Sequence, residues 1–341
     1  SWGTIGTVGV AMIGVGTGLE ANLAITAGAI VSGAYFGDKM SPLSDSTILA
    51  STMTGTELWT HIKNMLWTTI PGAVICAVLY TFLGFADAGN NFDPSSISAI
   101  IADMESIYHI DLLAALPLIV VMVMIALRAS TVGSLLIGTV LASLIAIFYQ
   151  GYSPSEMVAF LYSGFKVDSA DVFLTGILNR GGLTSMMSLV AMIIVALGLG
   201  GIISETGLLK PIFEAITRSI RSAKGVMVMA WVIMWLCIII VPTYNFAFVL
   251  VPTLFNPLMK RYHLKSENLS RVLEDVGTLG GNLFPWCVGP VYATGVLGIA
   301  TTEYWPYVYL SILVPIISLI FIIIGFKTKF DDDPAVEEQP A

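Results

Sequence analysis

Long apolar runs alternate along this chain with short polar interruptions. The apolar runs lie at 21–36, 65–85, 112–127, 131–149, 186–203, 226–241 and 306–326. Runs of about 20 residues match a membrane-crossing helix, and the alternation of barrel strands is absent. The pattern predicts an all-α polytopic membrane protein. FAFVLVPTLFNPLM (246–259), which holds Pro252 and Pro257, reads as a further crossing. The mixed, glycine-rich stretch 150–184 reads as a partly helical loop or a hairpin dipping into the membrane. TELWTHIKN (56–64) reads as a short polar connection.

One interruption dominates. GAYFGDKMSPLSDSTILAS (33–51) sits between two apolar runs yet carries Asp38, Lys39 and Asp45, a helix-breaking Pro42, and the hydroxyls of Ser41, Ser44, Ser46, Thr47 and Ser51. One ionised residue at the bilayer centre costs about 2.5–3.5 kcal/mol on insertion scales, and such residues normally line ion or substrate pathways. A second polar, glycine-bearing interruption follows at LEDVGTLGGNLFPWCVG (273–289), opened by Glu274 and Asp275 and continued by Thr278 and Asn282. Broken segments at corresponding positions of two halves point to a transporter's midplane site. The expected architecture is therefore a secondary transporter with an internal repeat and discontinuous helices. It forms one transmembrane domain (1–326), with broken elements at about 1–55 and 226–300, and an acidic cytoplasmic tail (327–341).

Composition sharpens this picture. The chain has 341 residues, 56% hydrophobic and 11% charged, against about 25% charged in soluble domains. The net charge of −8 reflects acids in the tail and in the loop 87–111, and nucleic acid is not suggested. Basic residues (Lys63, Arg128, 210–224, 260–271, Lys327 and Lys329) fall on one side if the crossings alternate, which places the C-terminus in the cytoplasm. Cys76, Cys237 and Cys287 stand singly in apolar segments and read as packing residues. His61, His109 and His263 read as surface residues in loops. Ser1 opens directly onto an apolar, glycine-rich segment without a basic leader, and preceding helices are expected to be missing.

SWGTIGTVGVAMIGVG, SGAYFGDKMSPLSDST with HIKNMLWTTIP, GGIISETGLL and LSRVLEDVGTLGGNLFPW together resemble the NhaC-type sodium/proton antiporter family, in the family's order and over almost the whole chain. The resemblance implies a cation/proton antiporter of the bacterial inner membrane, built from inverted repeats. Members of that family also exchange sodium and organic acids such as malate and lactate. This chain departs from the family at Ile48, where Asn is usual. It departs again at Thr243 to Asn245, where a carboxylate or Gln is common.

A monovalent cation needs several oxygen ligands in place of water. Candidates are Asp38, Ser41, Ser44, Asp45, Ser46, Thr47, Thr243, Asn245, Glu274, Asp275, Thr278 and Asn282. Asp38 and Asp45 are the expected proton-coupling carboxylates, with the cation near both and Lys39 as counter-charge when the cation is absent. No cofactor is expected beyond the transported sodium (or lithium) ion and proton. The partners expected are those ions and the lipid bilayer, with a homodimer as one possible assembly. A sodium- or proton-coupled exchanger of small carboxylates or amino acids is the alternative. An intramembrane aspartyl protease is remote, because its signature needs Gly where this chain has Tyr35.

Overall fold

The computed structural model describes residues 2–88, 102, 104–105, 108–127, 129–167, 178–179, 181–218 and 220–331. Most of the acidic loop, the turn at Arg128, part of the stretch 150–184 and the tail from residue 332 lie outside them. Among the described residues every element is helical, and one isolated bridge pairs Leu264 with Phe330. The helices in order are α1 (Val10–Gly18), α2 (Leu23–Met40), α3 (Asp45–Thr54), α4 (Leu58–Ala88), α5 (Leu112–Ala126), α6 (Thr131–Phe148) and α7 (Pro154–Ser163). They continue with α8 (Met187–Thr206), α9 (Lys210–Thr217), α10 (Ala223–Ile240), α11 (Tyr244–Arg261), α12 (Ser266–Val272), α13 (Val288–Leu297) and α14 (Tyr309–Ile324).

Three helical segments (Leu58–Ala86, Leu183–Ile203 and Ala223–Ile240) are long and apolar enough to cross a membrane. A fourth crossing forms if Thr301–Tyr307 and α14, which meet at a bend of 50°, count as one. Other expected crossings differ. Helix α5 has 15 residues, about 22 Å at 1.5 Å per residue, short of a hydrocarbon core of about 30 Å. Helices α2 and α11 reach 18 residues each but carry too many polar groups to qualify on hydropathy. Helix α11 runs unbroken through Pro252 and Pro257.

The chain divides into two compact units. The first comprises 1–9, 23–86 and 191–341. Its core is built on α10, where Val226, Ala230, Ile233, Met234 and Cys237 recur at helical spacing on one buried face. They pack with Phe248, Val251 and Phe255 of α11 and with Leu269, Val272 and Val276. Gly277 lies where a Cβ would run into the Phe248 ring and the Met234 methyl, so glycine lets this segment approach α10 and α11. All three cysteines are free and buried, as packing residues should be. The second unit, 10–22 and 87–190, contains α5 packed on α6, with Gly138 set against Val121. Helix α7 opens on a capping box between Ser153 and Glu156.

Candidate functional site

Helix α2 ends at Met40 because Pro42 supplies no amide donor and restricts Ser41. Turn-like bonds follow, from the Ser41 amide to the Asp38 carbonyl (3.1 Å) and from the Ser44 amide to the Ser41 carbonyl (3.2 Å). Ser44 is extended and starts α3 without a side-chain cap, its hydroxyl lying 3.1 Å from that of Ser46. The gap between the half-helices is bridged by Thr47, whose hydroxyl donates to the Lys39 carbonyl at 3.1 Å. Gly55, at φ 70°, closes α3 in the left-handed conformation.

The second interruption is a gradual one. Helix α12 passes into a π stretch (Leu273–Thr278), then a short 3-10 turn (Gly281–Leu283), before α13 begins at Val288. The non-helical turn therefore lies at Phe284 to Cys287, at and beyond the far edge of the break expected between Gly277 and Pro285. The π stretch packs against both α2 and α3.

Where the two breaks meet, the side chains are buried and charged. The Lys39 ammonium forms an ion pair with Asp275 Oδ1, both side chains fully buried although 236 positions apart. The hydroxyl of Thr68, from α4, donates to the same oxygen at 2.9 Å. Beside this pair stands Glu274, 0% exposed, neither of whose carboxyl oxygens has a hydrogen-bond partner. The hydroxyls of Ser46 and Thr278 turn toward it without closing a hydrogen bond, and Asp38 and Lys39 lie within electrostatic reach. Asp38 is half-buried, and Asp45 is exposed and accepts from the Tyr244 hydroxyl at 3.0 Å.

The expected residues thus separate into groups. Asp38, Lys39, Ser44, Ser46, Thr47, Glu274, Asp275 and Thr278 converge, with Asp45 at the margin. Ser41 is spent on a local bond to the Leu43 amide, and Thr243 caps α11 through the Asn245 amide. The Asn245 side chain is exposed. Buried Asn282 donates to the Ser311 hydroxyl at 3.2 Å and to the Thr278 carbonyl at 3.5 Å. Among the described residues no three His, Cys, Asp or Glu side chains converge as resident metal ligands do. A cation here would be held by one or two carboxylates together with hydroxyls and carbonyls.

Three expectations are overturned. TELWTHIKN is not a connection, because α4 already begins at Leu58. His61 is fully buried, with Nδ1 2.8 Å from the Ser270 hydroxyl. Asn64 Nδ2 donates to the Glu267 carbonyl at 2.7 Å. His61, Asn64 and Thr68 recur at spacings of three and four, one face of a helix, and that spacing was the available signal. The polar density of the string disguised it. Arg271, expected in a basic loop, is also fully buried and lies in α12.

Broken apolar helices that gather buried acids and a buried lysine at their breaks define a polytopic membrane transporter. The family model described as "Na+/H+ antiporter family" matches residues 33–326, and the chain belongs to that family. It is 36% identical over 330 residues to the Malate-2H(+)/Na(+)-lactate antiporter of Bacillus subtilis, covering 97% of this chain and 70% of that protein. It is 34% identical over 327 residues to the Na(+)/H(+) antiporter NhaC of Alkalihalophilus pseudofirmus, covering 95% and 70%. To the arginine/ornithine antiporter ArcD of Halobacterium salinarum it is 31% identical over 344 residues, covering 100% and 71%.

Proposed function

We propose that this chain exchanges sodium, or lithium, for protons, and that Glu274 with Asp38 carries the exchange. The supporting observation is the Glu274 carboxyl group, fully buried with no hydrogen-bond partner. An isolated buried carboxylate is strongly disfavoured, and either a proton or a cation removes the penalty. A site that accepts one or the other, but not both, couples their movements in opposite directions. Ser44, Ser46, Thr47 and Thr278 supply neutral oxygens around it, and Asp45 stands at the entrance.

Lys39 is the counter-charge. Its pairing with Asp275 neutralises one of the four acids, leaving Asp38, Asp45 and Glu274 in excess. That excess favours a cationic cargo over an anionic one. The organic cargoes in the names of two relatives make a carboxylate or amino-acid exchanger the competing reading.

The membrane would be a bacterial-type cytoplasmic membrane with the C-terminal segment on its inner face. Lys265 and Lys329 are joined by a backbone hydrogen bond, and the Tyr262 hydroxyl ties the basic end of α11 to Ile220, beside Arg218 and Arg221. These contacts bring Lys265, Lys329 and the segment of Arg218 and Arg221 near one another, which supports assigning them to the inner face by the positive-inside rule.

The test is flux in sealed proteoliposomes. A sodium or lithium gradient alone should move protons. Silence under both gradients, with flux appearing only after malate, lactate or arginine is added, would overturn sodium/proton exchange in favour of the organic exchanger.

A further inference from the structure

Arg271 is a buried charge that the exchange reading leaves unused. Its side chain is fully buried. Nη1 makes two long hydrogen bonds, to Asn64 Oδ1 and to the Lys327 carbonyl, each 3.4 Å, while Nε and Nη2 have no partner. A guanidinium carries five donors, and a buried one with donors unmet is unfavourable.

Asp275 follows one turn later on the same helical segment and lies within electrostatic reach of Arg271. Its Oδ1 receives Lys39 and Thr68, but its Oδ2 is buried without a partner. A carboxylate oxygen and two guanidinium nitrogens are therefore left unmet four residues apart, a spacing at which helical side chains are neighbours. Glu267, the other acid within reach of Arg271, is already held by Lys329 at 2.7 Å. The two residues also sit in different helical registers. Arg271 belongs to α12, whereas Asp275 lies in the π stretch. A π stretch carries a surplus residue within an α-helix and often marks functional sites. Moving that residue along the segment turns Asp275 about the helix axis relative to Arg271.

We propose that Asp275 exchanges partners, held by Lys39 in the arrangement seen here and by Arg271 in a second one. Arg271 is then the positioning residue that lets Lys39 go. The released Lys39 ammonium remains within reach of Glu274, where it opposes a bound cation. That place in the cycle rests on the antiport reading; the exchange of partners does not.

The experiment is a thermal-unfolding cycle on the purified full chain, comparing Lys39→Met, Arg271→Met, the double variant, and the double variant with Asp275→Asn. The double variant should lose more melting temperature than the two single losses together, because only there is Asp275 without a cation. Asp275→Asn should restore much of that loss. Additive losses, or no rescue, would overturn the proposal. If Arg271→Met does not fold in any background, Lys39→Met decides alone. With Arg271 available it should fold and melt close to the parent, and its failure to fold would refute the exchange. In proteoliposomes, Arg271→Met should lower maximal flux at least tenfold with the sodium KM unchanged, and Arg271→Lys should recover most of it. A change confined to KM would contradict the positioning role. A parent chain without sodium-driven flux would discard the antiport reading, while the melting cycle would still decide the exchange.

Discussion

Hydroxyl side chains occur in helices of both units, but near the buried acids some of their bonds leave their own helix. On α6 the Thr139 hydroxyl donates to the Leu135 carbonyl and Ser143 to Thr139, each at 2.8 Å, and Ser134 donates to Ser130 at 3.0 Å. All three bonds return to the helix's own preceding turn. On α4 the Thr68 hydroxyl lies 3.1 Å from the Met65 carbonyl of its own helix but also reaches Asp275, 207 positions away, at 2.9 Å, and on α3 Thr47 reaches back across the break to Lys39. A hydroxyl that satisfies itself on its own helix lets a polar residue sit in an apolar environment and does nothing more. One whose bond leaves the helix fixes the geometry of another group. The direction of the bond, more than the count of polar residues, separates the site from the scaffold.

This contrast orders the expected effects of substitution. The largest is at Asp38. Asp38→Asn keeps the shape and removes the charge, and sodium-driven proton flux should fall by about two orders of magnitude, equivalent to about 2.7 kcal/mol. Asp45→Asn should reduce it less, because Asp45 is exposed and bonded to Tyr244. Equal losses in proteoliposomes would erase the distinction between centre and margin. Thr68→Val comes next. It withdraws one of the two donors to Asp275 Oδ1, and about 1–3 kcal/mol of stability should go with it, read as an earlier thermal transition.

Thr139→Val, the matching change on α6, should move stability by no more than about 0.5 kcal/mol and leave flux unaltered. A loss as large as that of Thr68→Val would break the comparison. The smallest effect is expected at Glu57, just ahead of α4. The Thr60 hydroxyl, with the amides of Trp59 and Thr60, holds the Glu57 carboxyl below the usual carboxylate range. A carboxylate bound this way stabilises the helix start above its unfolded value of about 4.3 and loses that contribution as pH falls through the lower folded value. The melting difference between the parent and Glu57→Gln should therefore be present at neutral pH and shrink in acid.

The first break was legible because three charged residues and Pro42 stand together where the flanking runs demand lipid-compatible sequence. The second was legible in outline from its acids and glycines. Its non-helical turn lies later, at Phe284 to Cys287, because the glycines at 277, 280 and 281 fit π and 3-10 geometry instead of ending the helix. The ion pair between Lys39 and Asp275 could not be read at all. Single-chain periodicity assigns faces to helices but does not say which faces meet across 236 positions. The misreading of His61 has the opposite cause. Its partners were distant, but its spacing to Asn64 and Thr68 was local evidence for a helix face, and the string's overall polarity outweighed it. Ile48, a departure from the family pattern, is half-turned out of the site at 44% exposure and leaves the buried oxygens to its neighbours Ser46 and Thr47.

Central to this account is that a cation and a proton replace one another at Glu274. Sodium added to the purified, weakly buffered protein should release protons in proportion to the sodium bound, and Glu274→Gln should abolish that release while the protein stays folded. Sodium binding with no proton release in the parent, or the same release from Glu274→Gln, would contradict it.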